Sequence, residues 1–293
     1  MKRTHLAWML WALVPVGLAA FHFGPGQRLF LEDRAAREVA AAERLQDAAL
    51  ALQAEAYDAH VAAIAARVAA FGRDDPALRA AAEAAGAAEE AAYAKAADAW
   101  RTCADSLASA QALVEETDGA TGLRSVDRIR LGRARALVRT GDVAAGANEL
   151  EDLVLALEEA GEGDGPLALG AREELATAYY YGARLMRMAG KPADEWREVA
   201  ARARQNFRYL AERARDGRGD AATAANHEKN VELVLDLEQS SLDELFAKPR
   251  PKDSPTGTCN GLGKNPGKGR RGKRPGEEPS KGAGMGGDIG DGW

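Results

Sequence analysis

Few groups of residues in this chain could do chemistry, and each departs from the spacing its chemistry needs. Gly263-Lys264-Asn265-Pro266-Gly267-Lys268-Gly269 has the glycines and lysine of a phosphate-binding loop, in which backbone N–H groups cradle phosphates and a Ser/Thr hydroxyl holds Mg²⁺. Leu262 stands at the first glycine position and Gly269 where the hydroxyl belongs, so the stretch reads as a Gly/Lys tract. His227-Glu228 opens a zinc-protease pattern, but Val231 occupies the place of the second histidine on that helix face. His5, His22, His60 and His227 form no cluster in the sequence. Residues 286–292, Gly-Gly-Asp-Ile-Gly-Asp-Gly, carry residue types that suit Ca²⁺, but as a single copy they read as a flexible acidic end. The adjacent carboxylates Glu89-Glu90, Glu158-Glu159 and Glu173-Glu174 read as solvated helix positions. The expectation is a chain with no catalytic residues, no cofactor and no metal: not an enzyme.

Tyr179-Tyr180-Tyr181 is the more distinctive group. Three consecutive residues on a helix point in different directions, so they do not all enter one seam and at least one is expected to face solvent or a groove. Tyr180 lies off the face made by Leu175, Ala178, Tyr179 and Gly182. Interfaces draw much of their energy from aromatic and Arg side chains, which makes Tyr180, Tyr181, Arg184 and Arg187 the candidate partner-binding residues. Trp196 and Phe207 fall on an apolar stripe with Val199, Ala200, Ala203, Leu210 and Ala214, and are expected in the core.

The elements that position these residues are helices. Between Ala35 and Ala112 there are 35 alanines in 78 residues, and Ala has the highest helix propensity because it loses no side-chain entropy there. Aromatics are 6% against 46% apolar residues overall, so the core is expected to be mostly Ala and Leu, and no stretch reads as a strand. Leu45, Leu52, Val61, Ile64 and Val68 fall near heptad spacing in a first long segment; Tyr93, Ala96, Trp100, Cys103 and Leu107 recur at helical intervals in a second. Asp75 and Pro76 cap and start that second segment, and the pair is expected to pack antiparallel as a coiled pair. Cys103 and Cys259 make no disulfide framework and read as two free thiols.

Two apolar helical patterns meet across Gly141-Asp142, where glycine can close one helix and aspartate cap the next. Around that break Ala134, Leu137, Gly141, Gly146, Leu150 and Leu153 fall in an order that resembles the tetratricopeptide (TPR) helix-turn-helix. Arg130 and Arg133 stand where that pattern has an aromatic residue and a leucine. A second hairpin of this kind lies around Gly190, with Ala183 and Met186 before it and Glu195 at a small-residue position. The two glycines are 49 residues apart, against a repeat of about 34. Tyr57-Asp58 and Tyr93-Ala94 also resemble the start of a TPR second helix, so residues 35–116 are open to two readings, one long coiled pair or degenerate hairpins. Over about residues 125–215 the resemblance implies TPR-like hairpins stacked as an α-solenoid that binds protein or peptide.

Residues 1–24 form a targeting segment: Lys2 and Arg3 precede Leu6–Phe23, a run without formal charge. Its 18 residues span about 27 Å as a helix, close to the hydrocarbon thickness, and the leading basic pair favours a cytoplasmic amino terminus. A cleaved signal peptide, with small residues at Gly17 and Ala19, is the competing reading. Residues 29–247 are expected to be the α-helical domain, with loops at Thr117–Gly122 and Asp216–Asp220, a cap at Ser125, and a short last turn in which Leu242, Leu245 and Phe246 pack back. Residues 248–293 hold thirteen Gly and six Pro, and ten Lys/Arg against five Asp/Glu; a segment so poor in large apolar side chains is expected to stay disordered. Since the whole chain carries −6, everything before the tail carries −11. The function class these features imply is a membrane-anchored, extracytoplasmic helical-repeat scaffold for protein–protein interaction. The alternatives are a secreted or periplasmic form after cleavage, and a module whose basic tail engages an envelope polymer or nucleic acid; nucleic acid is disfavoured outside the cytoplasm, with Trp293 the one aromatic in the tail.

Overall fold

The computed structural model describes residues 2–116, 123–218 and 220–247. The tail, residues 248–293, and the loop at 117–122 lie outside the described residues, and with them the phosphate-loop-like tract, the acidic end and Cys259. Among the described residues every regular element is a helix, as the alanine content requires.

Helix α1 (Lys2–Phe23) and helix α2 (Pro25–Ala70) are separated by Gly24 alone. The break is therefore tighter than the sequence suggests. Pro25 starts α2 at once, because a proline in the first turn lacks only an N–H that would have no partner there. Gly72, at φ +69°, turns the chain, and the Asp75 carboxylate accepts from the Ala77 N–H at 2.8 Å to open α3 (Pro76–Glu116). Helices α2 and α3 pack along their length as one antiparallel hairpin, so of the two readings left open for residues 35–116 the long pair is the one formed.

The seam of that pair corrects the expected one. Ala35, Ala42, Ala49, Ala56 and Ala63, seven residues apart, are all buried and make its centre; Leu45 and Leu52 pack half-buried beside them as expected, while Val61 and Val68 are exposed. Tyr93, Ala96, Trp100, Cys103, Leu107 and Ala110 line α3 as expected. His60 meets Glu89 at 2.7 Å, and stepping from that pair by four residues and then by heptads sets Ala56 opposite Tyr93, Ala49 opposite Trp100 and Ala42 opposite Leu107. Small faces large at each step, which brings the backbones close: Cys103 Sγ lies 3.5 Å from the carbonyl oxygen of Ala42.

From α3 onward each helix packs chiefly on the one that follows. Helix α4 (Leu123–Thr140) begins two residues before Ser125, which is thus inside the helix and not its cap. Gly141 at φ +95° closes α4, and the Asp142 carboxylate accepts from the Ala145 N–H at 3.2 Å to start α5 (Val143–Glu159). Gly146 is required by proximity, since a Cβ there would lie 2.6 Å from Val138 Cγ2 and 2.8 Å from the Ala134 carbonyl oxygen. Ala134 and Val138 form that seam; Leu137, expected in it, packs with Trp100 and Leu107 of α3 instead.

Helix α6 (Pro166–Met188) and helix α7 (Ala193–Arg213) make the next hairpin, turned at Gly190, φ +69°. The stripe from Trp196 to Ala214 is buried throughout, as its spacing predicts. A π-helical turn, Ala214–Arg218, holds Gly217 at φ +87° and leads to α8 (Ala221–Gln239), whose Asp220 cap accepts from Thr223 N–H at 2.7 Å. In the short α9 (Leu242–Ala247) Ser241 and Glu244 cap each other reciprocally, at 2.6 and 3.1 Å. Leu245 packs back as expected, but Leu242 stays exposed; the Phe246 side chain lies outside the described residues.

Candidate interaction surface

The surface expected around the three tyrosines is not a surface. Tyr179, Tyr180 and Tyr181 are all buried, Tyr180 at 3% exposure, and Arg184 is buried with them. The expectation assumed that α6 has one covered side. Instead α5, α7 and the carboxyl-terminal end of α8 enclose it, so nearly every residue from Ala168 to Arg184 is buried. Arg187 is half-buried and donates to the carbonyl oxygens of Leu237 and Ser240, which the end of α8 leaves without helical partners. Its guanidinium also lies 4.8 Å from the centre of the Trp196 ring. Tyr180, Tyr181, Arg184 and Arg187 are thus parts of the packing between α6, α7 and α8, and none offers an open face to a partner.

What holds α6 is a set of buried polar groups reaching to every neighbour. Glu174, 3% exposed, accepts from Arg135 Nε at 2.6 Å and from Arg139 Nη1 at 3.0 Å, both on α4. Burial pushes its carboxyl up, yet the two guanidinium groups outweigh this by charge and hydrogen bonding and hold it below the ordinary carboxylate range. The Arg139 guanidinium lies 5.8 Å from the centre of the Trp100 ring, tying α3 into the same cluster. Tyr179 donates to Glu151 of α5, and its hydroxyl is pushed up by burial and by that carboxylate. Tyr180 is pushed up to about 12, chiefly by burial. Arg172 pairs with Glu158 of α5 and lies 5.7 Å from the Tyr209 ring centre. Two carboxylate pairs that read as solvated therefore contribute buried members: Glu173 and Glu174 on α6, and Glu89, which holds His60 and Arg67. Sequence reading missed them because the counter-charges come from other helices. The signal present was Gln53, His60 and Arg67, polar residues seven apart between the seam alanines.

Two polar side chains on α8 are buried differently. His227 and Asn230 are each 1% exposed, and neither the ring nitrogens nor the amide atoms have a hydrogen-bond partner. The His227 ring stacks on Phe207 of α7 with centroids 6.5 Å apart, and burial pulls its pKa down to about 4. Among the described residues no group of three His, Cys, Asp or Glu is placed to hold a metal ion. Cys103 is a free thiol whose pKa is raised by burial, so it is no nucleophile at neutral pH.

The open apolar surface lies at the two ends of the long helices. In α1, side chains are described at Trp11 and from Leu13 onward; Trp11, Leu13, Val14, Val16, Leu18, Phe21 and Phe23 are all exposed, and Leu29 and Phe30 continue them into α2. Among the described residues no helix is long and apolar enough to cross a membrane. At the far end, Leu50, Val61, Val68 and Phe71 are exposed, with Tyr57 and Ile64 half-buried between them. Comparison with family models, curated proteins and solved structures finds no match to this chain.

Proposed function

We propose that this chain is a membrane-tethered helical scaffold that presents a surface to another protein on the extracytoplasmic side. The observation that carries this reading is the order of packing: from α2 to α8 each helix lies chiefly against its neighbours in sequence. Proteins built that way, TPR-like hairpins among them, gain an extended surface and no central cavity, and they work by binding. The hairpin glycines Gly141 and Gly190, both at positive φ, and the close approach at Gly146 support the TPR-like reading of α4 to α7. The exposed apolar side chains from Trp11 to Phe23 support the tether, because a helix that shows apolar side chains on all sides has its complement outside the folded body.

Amino-terminal sequencing of the mature protein, combined with labelling of an introduced cysteine on intact cells, tests the tether. An unprocessed amino terminus and a body labelled from outside are expected. A mature start at Ala20, or labelling only after the cells are opened, overturns it. The charge of the tail favours a second reading, in which residues 248–293 bind an anionic envelope polymer through their excess of Lys/Arg. Deleting the tail separates the two: the scaffold retains its captured protein, whereas polymer binding is lost.

A further inference from the structure

Helix α2 carries two heptad stripes, and α3 covers one of them. The covered stripe runs through Ala49, Ala56, His60 and Ala63, and the exposed Arg67 continues it by reaching Glu89. The second is the first displaced by one residue, about 100° around the helix: Leu50, Tyr57, Val61, Ile64 and Val68, at steps of seven, four, three and four, with Phe71 three further on at the C-cap where the helix ends. Leu50, Val61, Val68 and Phe71 stay open to solvent, Val68 at 69% and Phe71 at 87% exposure, and Tyr57 and Ile64 are half-buried between them.

We propose that this stripe is a dimerisation seam and that its occupant is the same stripe of a second copy, running parallel. The step pattern assigns the positions. Val61 and Val68 are a residues; Leu50, Tyr57 and Ile64 are d residues, and Phe71 stands at the next d place as the helix ends. A 3.5-residue apolar repeat is the pattern of a helix that supercoils left-handedly with another, and β-branched a residues with leucine at d, here Leu50, favour two parallel strands. Charge points the same way. Between Ala59 and Gly72 the one formal charge is Arg67, and its guanidinium is engaged by Glu89 of α3. The charges that flank the stripe are Asp58 at e and Arg67 at g, and a parallel in-register pair sets them opposite Gln53 and Gly72 of the other copy, so no like charges meet. The area is also suited to a reversible pair. The exposed parts of these six side chains would remove on the order of 400 Å² from each copy, about half of a standard interface, so the dimer dissociates on dilution. The seam goes beyond the scaffold reading and does not depend on the tether.

Cysteine cross-linking of the full chain in detergent, with Cys259→Ser to remove the tail thiol, tests the seam. In a parallel pair like positions meet, so Ile64→Cys should oxidise to a linked dimer at least tenfold faster than Ala62→Cys, which lies on an outward face. Val61→Glu with Val68→Glu, both at exposed positions, should abolish the Ile64→Cys link and leave the melting curve unchanged. Equal linking at 62 and 64, no linking at 64, or a link that survives the two glutamates overturns the proposal. So does linking between chains carrying Leu50→Cys and Phe71→Cys when like chains do not link, since that marks an antiparallel pair.

Discussion

Two buried side chains make stability depend on pH, in windows that do not coincide. Burial lowers the His227 pKa from 6.5 to about 4, so between those values the unfolded chain binds the proton and the folded chain does not. The stability this histidine allows is complete above pH 6.5 and falls as pH drops toward 4, by roughly 3 kcal/mol in all and about 2 kcal/mol at pH 5. Glu174 is held below its ordinary range by Arg139 and Arg135 against the opposing effect of burial. Its contribution is present above pH 4.5 and is lost at lower pH. His227→Leu should therefore remove the loss of stability that His227 causes between pH 6.5 and 4 and leave the acid limb of Glu174 in place. At pH 7 it should lie within about 1 kcal/mol of the parent, because two unpartnered ring nitrogens are replaced by an apolar group of similar size. Urea denaturation at pH 7, 5 and 4 measures this; a variant with the parent's slope between pH 7 and 5 excludes His227 as the source. Glu174→Gln strips the charge that Arg139 was buried against, and should cost about 3–5 kcal/mol at neutral pH in the same assay.

At the scale of elements, the α2–α3 hairpin depends on where its alanines sit more than on how many there are. Ala49 is fully buried opposite Trp100, whereas Ala62 is exposed. Ala49→Leu should overpack the seam and cost about 1–3 kcal/mol; Ala62→Leu should stay within about 0.5 kcal/mol, although the two substitutions change composition and helix propensity identically. Thermal melting of the two variants decides it, and equal effects would mean that close approach of the backbones does not hold the hairpin. The helices themselves were legible in the sequence because capping and turning are local chemistry: Asp75-Pro76, Gly141-Asp142, Gly190 and Ser241-Glu244 act within four residues of themselves. The stripe from Trp196 to Ala214 was legible because α7 keeps one outward face, and a two-faced helix writes its period into the sequence. Helix α6 was misread because it has no outward face, so its polar residues pair inside with Arg135, Arg139 and Glu151 and look solvated to anyone reading α6 alone. The α2 seam was misread because large residues carry the eye to Val61 and Val68, while the packed stripe is made of residues that differ from their exposed neighbours only by position.

For the molecule as a whole, the packing predicts a gradient of local stability running out along the hairpin. Helix α2, 46 residues and about 70 Å long, meets the rest of the body through α3, and α3 meets α4 along its carboxyl-terminal part, from Trp100 through Leu107 and Ala110 to Gln111. Beyond that point, from Leu52 to Ala70 and from Pro76 to Ala96, each helix has one partner, and the apolar contacts reduce to a small cluster around Ala56, Tyr93 and Ala96. By contrast, Tyr181, Phe207, Leu150 and Leu153 share one core that joins α4 through α9. Local opening costs what the opened contacts are worth. A segment held by a few alanines and one tyrosine opens far below the global free energy, and a helix enclosed on all sides opens only when the body unfolds. The exception along the arm is His60 with Glu89, where two buried polar groups and Arg67 hold the outer end together. Native-state hydrogen exchange should accordingly show amides of residues 168–184 exchanging only through global unfolding, while those of residues 61–70 and 76–85 exchange at least a hundredfold faster. His60→Ala should extend the fast-exchanging zone inward toward Ala56 without altering protection in α6. Uniform protection from the tip of the hairpin to α6 would mean that the arm and the body unfold as one unit, and that the alanine seam is as strong as the aromatic core.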